Sequence, residues 1–153
     1  MNDRSHGTLT ALLILGTVLF FLRVVGQIIV ALYGPSWLPP MAHWYSGLVP
    51  YPLLLPIQIL ILMLMPLMIY DFALQAGAFH VERPSIRARF TRFSIVYFLA
   101  MIARYVVTMA LHPERRWLVG AIPIALHLVL ASFIFIWAQG TKSPSCQETH
   151  AIR

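Results

Sequence analysis

The chain has 153 residues, of which 59% are apolar and only 10% are charged, and its mean hydropathy is +0.78. A soluble domain of this length needs far more charge to cover its surface, so the composition excludes that class and indicates a polytopic membrane protein. The net charge of +6 does not indicate nucleic-acid binding. The basic residues lie in short segments between apolar runs, where membrane topology and anionic lipids account for them.

Four apolar runs of bilayer length follow one another along the chain. Each is long enough to cross a hydrocarbon core of about 30 Å at a rise of about 1.5 Å per residue. We predict an all-α, four-helix transmembrane bundle that forms a single domain over residues 1–153, with a flexible tail over about residues 140–153. The first run is interpreted as a retained helix and not a signal peptide, because it is too long and contains an arginine. The predicted spans are 9–32, 53–70, 90–111 and 117–138.

The segments between the runs predict the orientation. Residues 33–52, between the first two runs, contain no Lys, Arg, Asp or Glu, whereas the next segment is rich in arginine. The positive-inside rule therefore places both termini in the cytoplasm. We expect the protein to lie in a plasma membrane, which we interpret as a bacterial inner membrane. Arg115 and Arg116, in the opposite turn, count against this orientation. The arginines that we expect to contact anionic lipid headgroups are Arg83, Arg87, Arg89 and Arg92.

The segment between the first two spans has an unusual composition. Its five prolines forbid a continuous helix. Trp37, Trp44 and Tyr45 carry amphipathic rings that prefer the headgroup level of a membrane. We expect the segment to lie on the outer interface, either as a lid over the bundle or as an ordinary aromatic belt.

Five polar side chains lie well inside the predicted spans, where an apolar helix needs none. An arginine at the centre of a membrane helix costs about 2.5–3.5 kcal/mol unless other groups satisfy it. The predicted topology places all five in the outer half of the membrane at comparable depths. Because intramembrane ionisable groups usually face the bundle interior, we expect one polar chamber. The candidate ligand-binding residues are Arg23, Gln27, Gln58, Arg104 and His127.

The predicted chamber has an excess of positive charge. It holds two guanidiniums, and no Asp or Glu lies within any predicted span. Because arginine stays protonated, a bound acceptor would complete the site. Suitable acceptors are a lipid phosphate, a carboxylate, haem propionates or quinone carbonyl oxygens. The alternative is structural: the arginines extend to the headgroups, and the amides and the imidazole form interhelical hydrogen bonds of about 0.6 kcal/mol each.

Metal and enzyme chemistry have less support in the sequence. His127 is the single histidine within a predicted span, and His43 and His112 in the outer connections are the further candidates for a copper or haem site. Neither an HxxxH nor a CxxCH motif accompanies them, and no nucleophile–base spacing, carboxylate pair or glycine-rich phosphate loop indicates an enzyme.

The sequence favours a non-enzymatic membrane subunit or binding protein whose outer-leaflet chamber holds an anionic or quinone-like amphiphile. Two alternatives stay open. One is an electron-transfer subunit that binds haem or copper. The other is a small carrier in which kinks at Pro66 and Pro123 permit alternating access. A membrane-protein partner is compatible with each of these functions.

Overall fold

A computed structural model describes residues 3–40, 44, 51–74, 77, 84–111 and 121–140. Within these ranges the chain forms four α-helices and no strand. Each helix contains a segment that is long and apolar enough to cross a membrane, which confirms the prediction of an all-α protein with four such helices. The helices are α1 (Asp3–Tyr33), α2 (Tyr51–Leu74), α3 (Pro84–Leu111) and α4 (Ala121–Gly140).

Three of the four helices are longer than the spans that the sequence predicts for them. α1, α2 and α3 each begin before the first residue of the apolar run, and α2 also continues past its predicted end at Tyr70. Polar residues such as Asp71 and Arg87 belong to the helices, although they interrupt the apolar pattern that predicts the spans. The predicted start of the fourth span, at residue 117, and the predicted tail after residue 140 lie outside the described residues.

α4 is the helix around which the others are arranged. It packs against α1 and α3 and also contacts α2, while α1 packs against α2. Within the described part of the chain, α3 contacts neither α1 nor α2. The protein therefore consists of a three-helix unit, formed by α1, α2 and α4, and a fourth helix that rests on α4 alone.

The core of the three-helix unit follows a spacing of seven residues, which is close to two helical turns. Side chains at this spacing lie on one stripe of each helix and face the same neighbours. None of the side chains in the buried cluster belongs to α3. The core pairs are Leu13 and Phe20 on α1, Met65 and Phe72 on α2, and Leu126 and Phe133 on α4.

Close contacts between these helices define the layers of the core. His6 stacks on Phe72 with ring centroids 4.9 Å apart, and a Cβ built on Gly140 would overlap the Phe72 ring. From the same spacing of seven residues we infer two further layers, and all of their members are buried. The second contains Leu13, Met65 and Phe133, and the third contains Phe20, Gln58 and Leu126.

Candidate functional site

The apolar stripe of the core continues into two glutamines. Gln27 lies seven residues after Phe20 on α1, and Gln58 lies seven residues before Met65 on α2. Both amides are buried, with exposed fractions of 0% and 4%. They occupy core-facing positions at the same end of the three-helix unit, the end at which α1 finishes and α2 begins. We call this the loop end.

Arg23 is held by acceptors from the protein itself. Its Nη1 donates a hydrogen bond to Oε1 of Gln27, as the four-residue spacing predicts. Its Nη2 donates to the backbone oxygen of Trp44 at 2.7 Å. Hydrogen bonds from a charged donor are stronger than neutral ones, especially where water is excluded. The apolar helix tolerates this arginine because an amide and a loop carbonyl bind it.

The predicted depth of Trp44, at the headgroup level of a membrane, stays a prediction. Its ring is buried, with 8% of the residue exposed. It lies against Gly26 of α1, where an added Cβ would come within 2.7 Å of Trp44 Cη2. The indole Nε1 donates to the Pro39 oxygen at 2.9 Å. The glycine leaves a recess that the ring fills, whereas Trp37 is 76% exposed.

His127 joins α4 to α3 through a residue that the sequence analysis missed. Its Nδ1 lies 2.6 Å from the hydroxyl of Tyr97. The charges of Arg104 and Arg23 both act on the His127 ring. His127 therefore lies within electrostatic reach of both arginines, although α3 and α1 are not in contact within the described residues. The Tyr97–His127 hydrogen bond thus joins α3 to α4, the one helix that α3 contacts within the described residues.

Tyr97 could have been recognised from its position. Tyrosine prefers the ends of membrane helices, where the hydroxyl reaches the headgroups. Tyr97 lies in the interior of the third span, so its hydroxyl needs a partner from the protein. A buried phenol within a span indicates an intramembrane hydrogen bond as amides, guanidiniums and imidazoles do.

Arg104 differs from Arg23, whose two terminal nitrogens donate to groups of the protein. Its side chain is half-buried on α3. It forms no side-chain hydrogen bond or ion pair with another residue of the described part of the chain. Its backbone oxygen accepts from Thr108 Oγ1 at 2.8 Å, which leaves the guanidinium unaffected. The Arg104 guanidinium is thus free to bind an acceptor from outside the described residues. We call the five candidate residues the polar cluster: Arg23, Gln27, Gln58, Arg104 and His127.

Two amide atoms in the cluster are buried without a hydrogen bond. They are Nε2 of Gln27, a donor, and Oε1 of Gln58, an acceptor, and neither meets a partner within the described ranges. A buried polar atom without a partner costs about 1–3 kcal/mol. These two amide atoms therefore lower the stability of the core at its loop end, relative to apolar side chains of the same size.

Replacing Gln58 by methionine is expected to stabilise the protein. The amide lies in the layer of Phe20 and Leu126, its carbonyl has no partner among the described residues, and methionine has a similar volume. We expect the free energy of unfolding to rise by about 1 kcal/mol. Denaturation in mixed micelles measures it. A loss of 1 kcal/mol or more would show that the amide contributes to stability.

The histidine set proposed for a metal is incomplete in the described structure. His43 and His112 lie outside the described residues, so their positions relative to His127 are not defined. Among the residues that are described, no group of three or more His, Cys, Asp or Glu side chains is arranged to hold a metal ion.

A separate groove of about 380 Å³ lies between α3 and α4. Its walls include Phe98 and Leu99 on α3 and Phe135 and Ile136 on α4. The hydroxyl of Ser94, at its edge, donates to the Thr91 oxygen at 2.8 Å. The lining is suited to a hydrocarbon chain and offers little to a polar head. The polar cluster remains the candidate site.

The described residues form an all-helical protein whose four helices are long and apolar enough to span a membrane, as in a multi-pass membrane protein. In comparisons with protein-family models, with curated proteins and with solved structures, nothing matches the chain. Its function therefore has to follow from the residues of the site.

Proposed function

We propose that this protein is a non-enzymatic membrane subunit or binding protein that holds an amphiphile with an anionic or quinone-like head at the polar cluster. The observation that carries the proposal is the Arg104 guanidinium. It is half-buried within a span and has no acceptor among the described residues. A charged group at such a depth is costly unless it is paired, and an acceptor on a ligand would pair it.

The two arginines have different roles in this proposal. The two terminal nitrogens of Arg23 donate to Gln27 and to the Trp44 carbonyl, so Arg23 shapes the site and supplies positive charge. Arg104 binds the head of the ligand directly. His127 lies within the field of both charges and orients the head through a hydrogen bond. Gln27 Nε2 and Gln58 Oε1 offer one further donor and one further acceptor on the core side.

The position of α3 supports entry of the ligand from the bilayer. Only 6% of the apolar membrane-length segment of α3 is buried inside the protein, against 33% for the corresponding segment of α4. An amphiphile can therefore approach Arg104 sideways through the lipid, with its head at the level of the cluster and its tail in the hydrocarbon. We place the cluster in the outer half of a plasma membrane, with both termini in the cytoplasm, following the positive-inside rule.

The arginines at the start of α3 have a different partner in this proposal. Arg89 and Arg92 are exposed and Arg87 is half-buried on the first turns of the helix. Guanidiniums at a membrane surface bind lipid phosphates, which anchors α3 without forming a specific site. They also provide a matched control, since one of them can be removed without touching the cluster.

Replacing Arg104 by leucine is expected to deplete the amphiphile that the protein retains. The protein is purified in a mild detergent, and its bound lipids, quinones and fatty acids are quantified by mass spectrometry against the whole membrane extract. The loss of one charge-assisted hydrogen bond, of about 1.5–3 kcal/mol, lowers the retained amount about tenfold or more. The control, Arg92→Leu, removes the same charge from the same helix and keeps the ligand.

Two outcomes contradict the proposal. One is a wild-type protein in which no amphiphile is enriched over the membrane extract. The other is equal depletion in both variants, which would show that Arg104 acts as a general surface charge.

A further inference from the structure

We infer that the head of the ligand is a planar ring with two carbonyl groups, of the quinone type, and that it lies over Ala100 between the Tyr97–His127 pair and Arg104. This inference rests on the proposed function and selects one of its two head classes. In this inference Tyr97 is a positioning residue and Ala100 forms the floor of the site.

One face of α3 carries the groups that such a head needs. Phe93, Tyr97, Ala100 and Arg104 follow at intervals of four, three and four residues, which places them on a single face of the helix. Ala100 is exposed and has the smallest side chain of the four. Long helical side chains lean toward the N-terminus of their helix, so Arg104 leans over Ala100. The face therefore has a recess one turn wide.

The hydrogen-bonding groups around this recess are donors. When the Tyr97 hydroxyl donates to Nδ1 of a neutral His127, the proton of the ring is on Nε2, which is then a donor to the ligand. The Arg104 guanidinium has donors only. A 1,4-quinone presents two carbonyl acceptors at opposite ends of its ring and no donor. It therefore matches a recess with one donor group at each end.

Aromatic rings beside the recess favour a planar head over a phosphate. Phe93 and Tyr97 are stacked with centroids 5.7 Å apart and an angle of 20° between the rings. Phe93 is 56% exposed, so its ring extends the aromatic surface toward the bilayer. Offset stacking of aromatic planes stabilises a bound ring beyond the burial of its area. A tetrahedral anion gains nothing from such a surface.

Filling the recess tests the position of the ring. The probe is decylubiquinone, titrated into the detergent-solubilised protein, with quenching of tryptophan fluorescence as the readout. Ala100→Leu is expected to weaken binding at least tenfold, because the larger side chain occupies the place of the ring. Ala103→Leu adds the same group to another exposed alanine of α3 and is expected to leave the affinity within twofold. Both variants keep the stability of the wild type, since both positions are exposed.

Removing the phenol tests the hydrogen bond. A second probe is the same decyl-substituted ring with both carbonyl groups replaced by C–H. We expect the wild type to prefer decylubiquinone over this analogue about five- to tenfold, the effect of a hydrogen bond of ordinary strength. In Tyr97→Phe the preference falls to about twofold or less, because His127 loses the partner that fixes its tautomer. Tyr105→Phe, on the same helix, keeps the wild-type preference.

The outcomes distinguish failure of the quinone inference from failure of the proposed function. Loss of affinity in Ala100→Leu alone, with loss of carbonyl preference in Tyr97→Phe alone, supports the inference. If decylubiquinone binds equally to Ala100→Leu and Ala103→Leu, or if Tyr97→Phe keeps the preference, the inference is wrong. If the protein instead binds dodecyl phosphate in a way that depends on Arg104, the proposed function stands and the quinone head is excluded. If neither probe binds and no amphiphile is retained on purification, both fail.

Discussion

Replacing Gln27 by methionine is expected to destabilise the protein by about 1.5–3 kcal/mol, the range for a hydrogen bond to a charged group. The substitution removes the Oε1 acceptor of Arg23, and the guanidinium stays in a largely apolar environment at the same depth. The free energy of unfolding in mixed micelles measures the effect. The expected sign is opposite to that for Gln58→Met, although each glutamine continues the core-facing stripe of its own helix.

Gln27→Glu is the control for this prediction. A carboxylate at position 27 keeps the geometry of the acceptor and adds an ion pair with Arg23, so the variant is expected to be at least as stable as the wild type. If Gln27→Met and Gln27→Glu lose the same free energy, the contribution of Gln27 is packing and not its bond to Arg23.

Gly26→Ala is expected to destabilise the protein by about 1–3 kcal/mol, as overpacking of a close contact does. The added Cβ would lie 2.7 Å from Cη2 and 3.1 Å from Cζ3 of Trp44, so the buried indole has to move. Displacement of Trp44 also shifts the backbone oxygen that accepts from Arg23. Thermal unfolding in detergent, followed by near-ultraviolet circular dichroism, reports both the stability and the environment of the indole.

Gly16→Ala is the matched control on the same helix. Its Cβ would lie 3.7 Å from Phe133 Cδ2 and 3.8 Å from Val129 Cγ1, which are ordinary contacts, so helix propensity is expected to make this variant neutral or more stable. A second control repeats Gly26→Ala in a Trp44→Ala background, where the clash no longer exists. If Gly26→Ala costs the same in both backgrounds, Trp44 is not the cause.

The four membrane helices were predictable because their signal is local. An apolar run of bilayer length has few alternatives to a helix, whatever surrounds it. Their ends were less predictable, since Asp71 and Arg87 belong to the helices but break the apolar pattern. The seven-residue spacing of Leu13, Phe20 and Gln27 was also present in the sequence. It indicates that Gln27 faces the core, which the apolar span alone did not reveal.

The arrangement around Arg23 was only half predictable. Its bond to Gln27 follows from a spacing of four residues on one helix. Its bond to the Trp44 oxygen joins residues twenty-one positions apart through a backbone atom, and no side-chain pattern encodes it. The recess at Gly26 is likewise visible only when the ring that fills it is known. Spacing along one helix predicts contacts within that helix, whereas contacts made by connecting segments require the tertiary structure.

The separation of α3 from α1 and α2 could not be inferred from depth. The predicted topology puts Arg104 and Arg23 at similar depths, but a similar depth does not place two residues in one chamber. The structure places α4 between their helices, with His127 as the group that both charges reach. Depth fixes one coordinate of a membrane residue. The order of the helices around the bundle fixes the others.

In this account Gln58 and Arg104 serve a ligand and not the stability of the fold, whereas Gln27 also stabilises Arg23. Gln58→Met tests this claim most directly, because stability and retained amphiphile are measured on the same purified sample. We predict a protein at least as stable as the wild type, because methionine removes a buried carbonyl that has no partner in the described structure. We also predict that the variant retains less of its amphiphile, because the amide N–H donors of Gln58 are lost to the head of the ligand. A variant that is less stable and retains the full amount of amphiphile would contradict the claim and identify Gln58 as part of the scaffold.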